Sequence, residues 1–68
     1  MSTRSEGLVQ YFNREQGYGF IVPFGRNDPV YVRREDIEGE CRSLSEEQHV
    51  SFTLQLADGR FEARQVRP

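Results

Sequence analysis

The 68-residue chain has no lysine and no tryptophan, and only one cysteine, one histidine and one methionine. A lone Cys41 forms no internal disulfide, and with the lone His49 it falls short of any metal-ligand spacing, so neither a metal nor a cofactor is expected. The same scarcity leaves no convergent acid–base constellation on which to build an enzyme mechanism. Long apolar runs are missing too. The opening MSTRSEG is polar with no hydrophobic stretch behind it, which implies no signal peptide, no membrane association and a cytoplasmic location.

A chain this short makes one small domain, burying about 60% of the surface its unfolded form exposes. We expect that domain over residues 7–68, after a short polar tail at 1–6. Large apolar side chains should therefore sit in the core unless something else needs them.

Net charge is −2, which at first sight disfavours a polyanionic partner. The distribution changes this. Glu35, Asp36, Glu38, Glu40, Glu46 and Glu47 are six of the eleven acids, and Arg42 is the only base among residues 35–47. The remainder holds eight arginines against five acids, a formal +3, compatible with nucleic acid though with a weak long-range pull. All nine bases are arginine, which favours planar, stacking, fork-like contacts over point charges; a codon-usage skew explains the same fact equally well.

The segments between turn signals are short and strand-like. Strands are expected at Leu8 to Asn13, Tyr18 to Pro23 and Val30 to Arg33. The long polar stretch from Arg34 to Gln48 has no strand pattern, with one helical turn near Glu35 to Ile37 and Leu44 as its anchor to the core. Val50, Phe52, Leu54 and Leu56 alternate with polar residues as a fourth, half-buried strand. Ala57-Asp58-Gly59 turns into a fifth over Arg60 to Arg67, where Phe61 and Ala63 alternate with Glu62 and Arg64. Five short strands with a long connection between the third and fourth suggest a small closed or nearly closed barrel, since a flat sheet of this size would leave open edges and too little core.

Alternation then separates two faces. If Ile21, Val30 and Val32 point inward, Tyr18, Phe20, Tyr31 and Arg33 point outward. A protein short of core area has no stability reason to leave three rings in water, so their exposure calls for a ligand with flat apolar faces and negative charge, and unpaired nucleic-acid bases fit. The competing view makes these rings one half of an ordinary two-sided core. Gly19, between two rings, lets a coiled strand approach the barrel interior. Tyr11 and Phe12 extend the surface, but Val9 and Tyr11 share a parity; a bulge or strand coiling would resolve this, exposing Tyr11 and half-burying Phe12.

These segments resemble those of bacterial cold-shock proteins, the stand-alone cold-shock domain. Residues 7–13, GLVQYFN, are similar to that family's G-x-V-K-W-F-N; QGYGFI at 16–21 resembles its first ribonucleoprotein motif, K-G-F/Y-G-F-I; VYVRR at 30–34 falls where V-F-V-H-F stands; and LSEEQHVSF at 44–52 is similar to L-x-E-G-Q-x-V-x-F. The resemblance runs from Gly7 to about Val66. It implies an all-β, five-stranded antiparallel oligonucleotide/oligosaccharide-binding (OB) fold barrel that binds single-stranded RNA or DNA, without enzymatic activity. It also implies a role in keeping RNA unfolded and in regulating transcription or translation. Carried over by position, Tyr18, Phe20 and Tyr31 form a central stacking platform with Tyr11 and Phe12 beside it. The departures touch the same face: Gln10 and Gln16 replace lysines, Tyr11 a tryptophan, Arg33 and Arg34 a histidine–phenylalanine pair, and Cys41-Arg42 stands where another aromatic is common.

The expected nucleic-acid contacts are thus Tyr11, Phe12, Tyr18, Phe20, Tyr31, Arg33 and Arg34, with Arg60 added because the turn between strands four and five should lie near one end of the groove. A monomer is expected, with strand exchange between two copies as the alternative. The competing function is a protein-interaction module that keeps the barrel after losing strong nucleic-acid binding, supported by the acidic loop and the missing lysines and rings. An RNA-recognition motif domain shares the G-Y/F-G-F signature but needs two amphipathic helices that this chain lacks.

Overall fold

A computed structural model describes residues 4–40 and 42–68. Five strands, β1 (Ser5–Asn13), β2 (Tyr18–Pro23), β3 (Val30–Arg33), β4 (His49–Ala57) and β5 (Arg60–Arg67), close into a barrel in the order β1-β2-β3-β5-β4. Every strand therefore has two neighbours, and none offers a full open edge for pairing with another chain. Pairing is antiparallel except where β3 meets β5, Tyr31 opposite Glu62, and this parallel contact closes the barrel. A single 3₁₀ turn at Arg34–Asp36 begins the long connection between β3 and β4.

The inward-facing residues follow the period-two pattern except on β5, where the β4–β5 register shifts and Gln65 at φ 51° separates buried Ala63 from buried Val66. Val9, Ile21, Val30, Val32, Val50, Phe52, Ala63 and Val66 form the core, with Ile37 and Leu44 from the long connection packed into it. Ile37 bridges to Val66 beside β5, so the connection that lacks strand character is still pinned at two apolar points. Fully burying a side chain such as Phe52 contributes about 1.5–3 kcal/mol, and a barrel with so few large side chains depends on each one.

Three local devices shape the strands. The β1–β2 register shifts between Val9 and Tyr11, the bulge that lets Val9 point inward while Tyr11 reaches the outer face. Gly19 sits opposite Phe12 across that pair, and a Cβ there would collide with the Tyr11 carbonyl and with Phe12 Cδ1 at 2.7 Å. Its necessity thus comes from the bulged neighbouring strand rather than from the barrel interior. The β4–β5 turn places Asp58 at φ 51° and Gly59 at φ 78°, the left-handed pair of a two-residue type I′ hairpin.

Strand boundaries and depth differ from the sequence pattern in two places. β1 begins at Ser5, with Ser5 and Glu6 paired to Phe52 and Ser51 of β4, ahead of the expected Leu8. Leu56 and Phe61, which alternation would put inside, are 63% and 46% exposed. They face each other across the hairpin, which outruns the barrel, so parity there no longer implies core.

Candidate nucleic-acid interface

Tyr11, Tyr18, Phe20 and Tyr31 form one connected cluster on the outer face. The ring centroids of Tyr18 and Phe20 are 6.2 Å apart, those of Phe20 and Tyr31 5.9 Å and those of Tyr11 and Tyr18 6.1 Å, all edge-to-face, while Tyr18 and Tyr31 lie 6.0 Å apart at 20°. Register accounts for this: Phe20 is opposite Tyr31 on β3 and, through the bulge, opposite Tyr11 on β1. None of the four is buried, so the two-sided-core alternative does not hold. Edge-to-face contacts fix each ring against its neighbours and leave ring surface open.

Arg33 and Arg60 flank Tyr31, with guanidinium carbons 5.6 Å and 4.5 Å from its ring centroid. Both are held from behind by Glu62, which is 1% exposed. Its Oε2 lies 3.5 Å from Arg33 Nη2 and 3.6 Å from Arg60 Nε, and its Oε1 accepts from Arg64 Nη2 at 3.1 Å. Glu62 alternates with core Ala63 and so lies on the outer face, as the sequence pattern has it, but arginine side chains cover it. A buried carboxylate is tolerable only with such partners. The consequence is a guanidinium parked over Tyr31, itself a flat surface on which a base can stack.

Arg34, the next residue, does something else. Its guanidinium Nη2 donates to the Arg14 carbonyl at 2.7 Å, and its backbone N–H donates to the Gly17 carbonyl at 2.8 Å. A Cβ on Gly17 would come within 2.9 Å of that guanidinium, so glycine there makes room for the clamp as well as adopting φ 74°. The side chain expected as a contact is thus engaged in holding the β1–β2 loop. Asn13 completes the loop: its Oδ1 accepts from the Gln16 N–H at 3.0 Å, and its Nδ2 donates to the Tyr11 hydroxyl at 3.1 Å. Phe12 is half-buried against the core and joins Arg14, Arg34, Arg42 and Ser43 around a cleft of ≈ 650 Å³. One end of the platform is therefore rich in arginine where the resemblance leads one to expect a ring.

Sequence reasoning missed Glu62, Asn13, Arg26 and Phe61. The signal for Glu62 was the Arg60-x-Glu62-x-Arg64 spacing, which puts an acid between two bases on one face. Phe61 shares the parity of core Ala63 but stands exposed, with Arg26 5.6 Å from its ring centroid. His49 is accounted for by a 2.7 Å contact to Glu6 and an edge-on contact with Phe24, and Cys41 lies outside the described residues. Among the described residues no group of His, Cys, Asp or Glu could hold a metal ion, and no helix is long and apolar enough to cross a membrane.

Some known proteins resemble this chain in sequence and another in fold. Cold shock protein CapA of Pseudomonas fragi is 45% identical over 56 residues, 81% of this chain and 88% of that protein. Cold shock-like protein CspJ of Salmonella typhimurium is 41% identical over the same share of this chain and 80% of its own length. Among solved structures, drosophila Unr CSD456 superposes with a TM-score of 0.80 at 18% identity, covering 97% of this chain and 26% of the longer one. The profile of the 'Cold-shock' DNA-binding domain matches residues 5–68. On these grounds the chain belongs to the cold-shock domain family, whose barrel is a nucleic-acid-binding fold.

Proposed function

We propose that this protein binds single-stranded RNA or DNA by stacking unpaired bases on Tyr18, Phe20 and Tyr31, with Tyr11 continuing the path and Arg33 and Arg60 supplying cation–π and phosphate contacts. The observation that carries this is the connected ring cluster in contact with two guanidinium groups. Stacking on aromatic side chains contributes roughly 1–3 kcal/mol per base and tolerates any base, because every base has a π-face. Phe12, Arg34 and Arg42 line the basic end of the path. Arg34 acts there mainly through the loop it holds. Bases held unpaired are unavailable for duplex formation, so the protein acts as an RNA chaperone, and by the same binding regulates transcription or translation in the cytoplasm as a monomer.

Tyrosine fluorescence tests this directly, since no tryptophan obscures it. The purified protein is titrated with short oligo-dT, oligo-dC and mixed-sequence RNA at low and moderate salt. Saturable quenching, weakening as salt rises, is the expected result. A folded protein that shows no quenching at low salt has another partner, and the protein-interaction reading then takes over; the exposed acids Glu40, Glu46 and Glu47 in the long connection are the feature that favours it.

A further inference from the structure

The platform continues past Tyr31 into a second cleft of ≈ 300 Å³ between β3 and the β4–β5 hairpin, lined by Phe20, Tyr31, Arg60, Phe61 and Arg26, with Asp28 also on its wall. We propose that this cleft takes one further unpaired base of the bound strand, with Phe61 as the stacking surface that receives it. The inference rests on the single-strand reading above and extends it by one subsite.

Five observations converge. Phe61 is 46% exposed in a chain with few large rings to spare, and its cross-strand partner Leu56 is more exposed still. Burial in the barrel therefore does not account for it. Phe20 and Tyr31 belong at once to the platform and to this cleft, so a strand leaving the platform in this direction meets Phe61 next. Arg26 lies 5.6 Å from the Phe61 ring and Arg60 4.5 Å from the Tyr31 ring, so each ring at the cleft has a guanidinium beside it that can stack on a base or reach its phosphate. Glu62 holds Arg60 from below, fixing the guanidinium over Tyr31. The volume lies at the lower end of the range for small-molecule sites, which suits a single base rather than a folded partner.

The test is a length ladder of oligothymidylates from about three to about eight nucleotides, titrated against the unmodified chain and against Phe61→Ala, with platform tyrosine quenching as the readout. The unmodified chain should gain affinity until the strand is long enough to fill the cleft. Phe61→Ala should lose that last gain, binding the longer strands roughly 5- to 150-fold more weakly, as expected for one base–aromatic stack, while binding the shortest strands as before. Phe61→Tyr should keep the gain, and Phe61→Leu, apolar without a ring, should lose it even if alanine disturbs the hairpin. An unchanged ladder in Phe61→Ala overturns the proposal. So does an equal loss at every length, because Phe61 would then support the platform instead of extending it. Failure of the unmodified chain to bind any strand overturns the single-strand reading itself, and shows before any variant is made.

Discussion

Among the described residues, the β1–β2–β3 face and the region near the start of β4 both expose aromatic rings, and they differ in what surrounds those rings. At the β1–β2–β3 face, four rings touch one another and two guanidinium groups lie against Tyr31. Near the start of β4, Phe24 is 56% exposed, and its ring makes an edge-to-face contact with His49, which is itself occupied by Glu6. The nearby Arg67 is already paired with Glu38 at 3.0 Å. Exposure alone thus separates nothing, since isolated surface apolar residues are common. What distinguishes the first patch is contiguity of rings together with cations held in place against them.

The sharpest break in this comparison comes from truncating one ring in each patch. Phe20→Ala should cost roughly 1–3 kcal/mol of oligonucleotide affinity, whereas Phe24→Ala should change it by less than about 0.5 kcal/mol. Fluorescence titration of both variants, with thermal melts to check folding, decides the matter. Equal losses would mean that the strand runs over both patches. Unfolding of Phe20→Ala would mean that the ring supports the barrel more than it serves the ligand, since half-buried rings contribute to stability as well.

A second test removes the charge that sets the cations in place. Glu62→Gln keeps size and polarity but loses ion pairs to Arg33, Arg60 and Arg64. Stability measured by urea unfolding should fall by about 1–3 kcal/mol, the range for hydrogen bonds to charged groups. Affinity at low salt should move the other way: guanidinium groups released from a carboxylate are available to phosphate, steepening the salt dependence by up to about 0.7 per group in log–log terms. Lost stability with an unchanged slope would show that Arg33 and Arg60 act by stacking only.

How far the sequence reveals this molecule depends on which physical quantity a feature needs. Alternation between turn residues gives β2, β3 and β5 at their observed limits, and the aromatic face with them, because parity and turn chemistry are local properties. Depth is not local. Leu56 and Phe61 have core parity but sit where the hairpin outruns the barrel, and only closure of β3 on β5 shows that. The same closure brings Asp36 to Arg64 at 3.3 Å and Glu38 to Arg67, so acids that read as one solvated loop are partly spent on β5. Of the eight residues expected at the site, Tyr11, Tyr18, Phe20, Tyr31, Arg33 and Arg60 come together around the platform. Phe12 lies half-buried at its edge, and Arg34 turns to the β1–β2 loop. A Gly17 neighbour close enough to exclude a Cβ has no signature in a string of residues.

Arg33 and Arg34 give the finest test, because they are adjacent in sequence and opposite in task. The Arg33 side chain is 42% exposed and lies beside Tyr31, reaching Glu62 across the closing strand pair. Arg34 spends its guanidinium on the Arg14 carbonyl and its backbone N–H on Gly17. Arg33→Gln should therefore lower affinity and flatten its salt slope by about 0.7, the share of one phosphate contact on a single strand, with a stability loss smaller than that of Glu62→Gln because Arg60 and Arg64 still face the carboxylate. Arg34→Gln should do the reverse: about 0.5–1.5 kcal/mol of stability lost with the loop hydrogen bond, and a nearly unchanged slope. Melting curves and titrations at several salt concentrations on the two single variants separate these outcomes. If both variants flatten the slope equally, Arg34 leaves the loop when a strand binds, and the two arginines form one cationic surface after all.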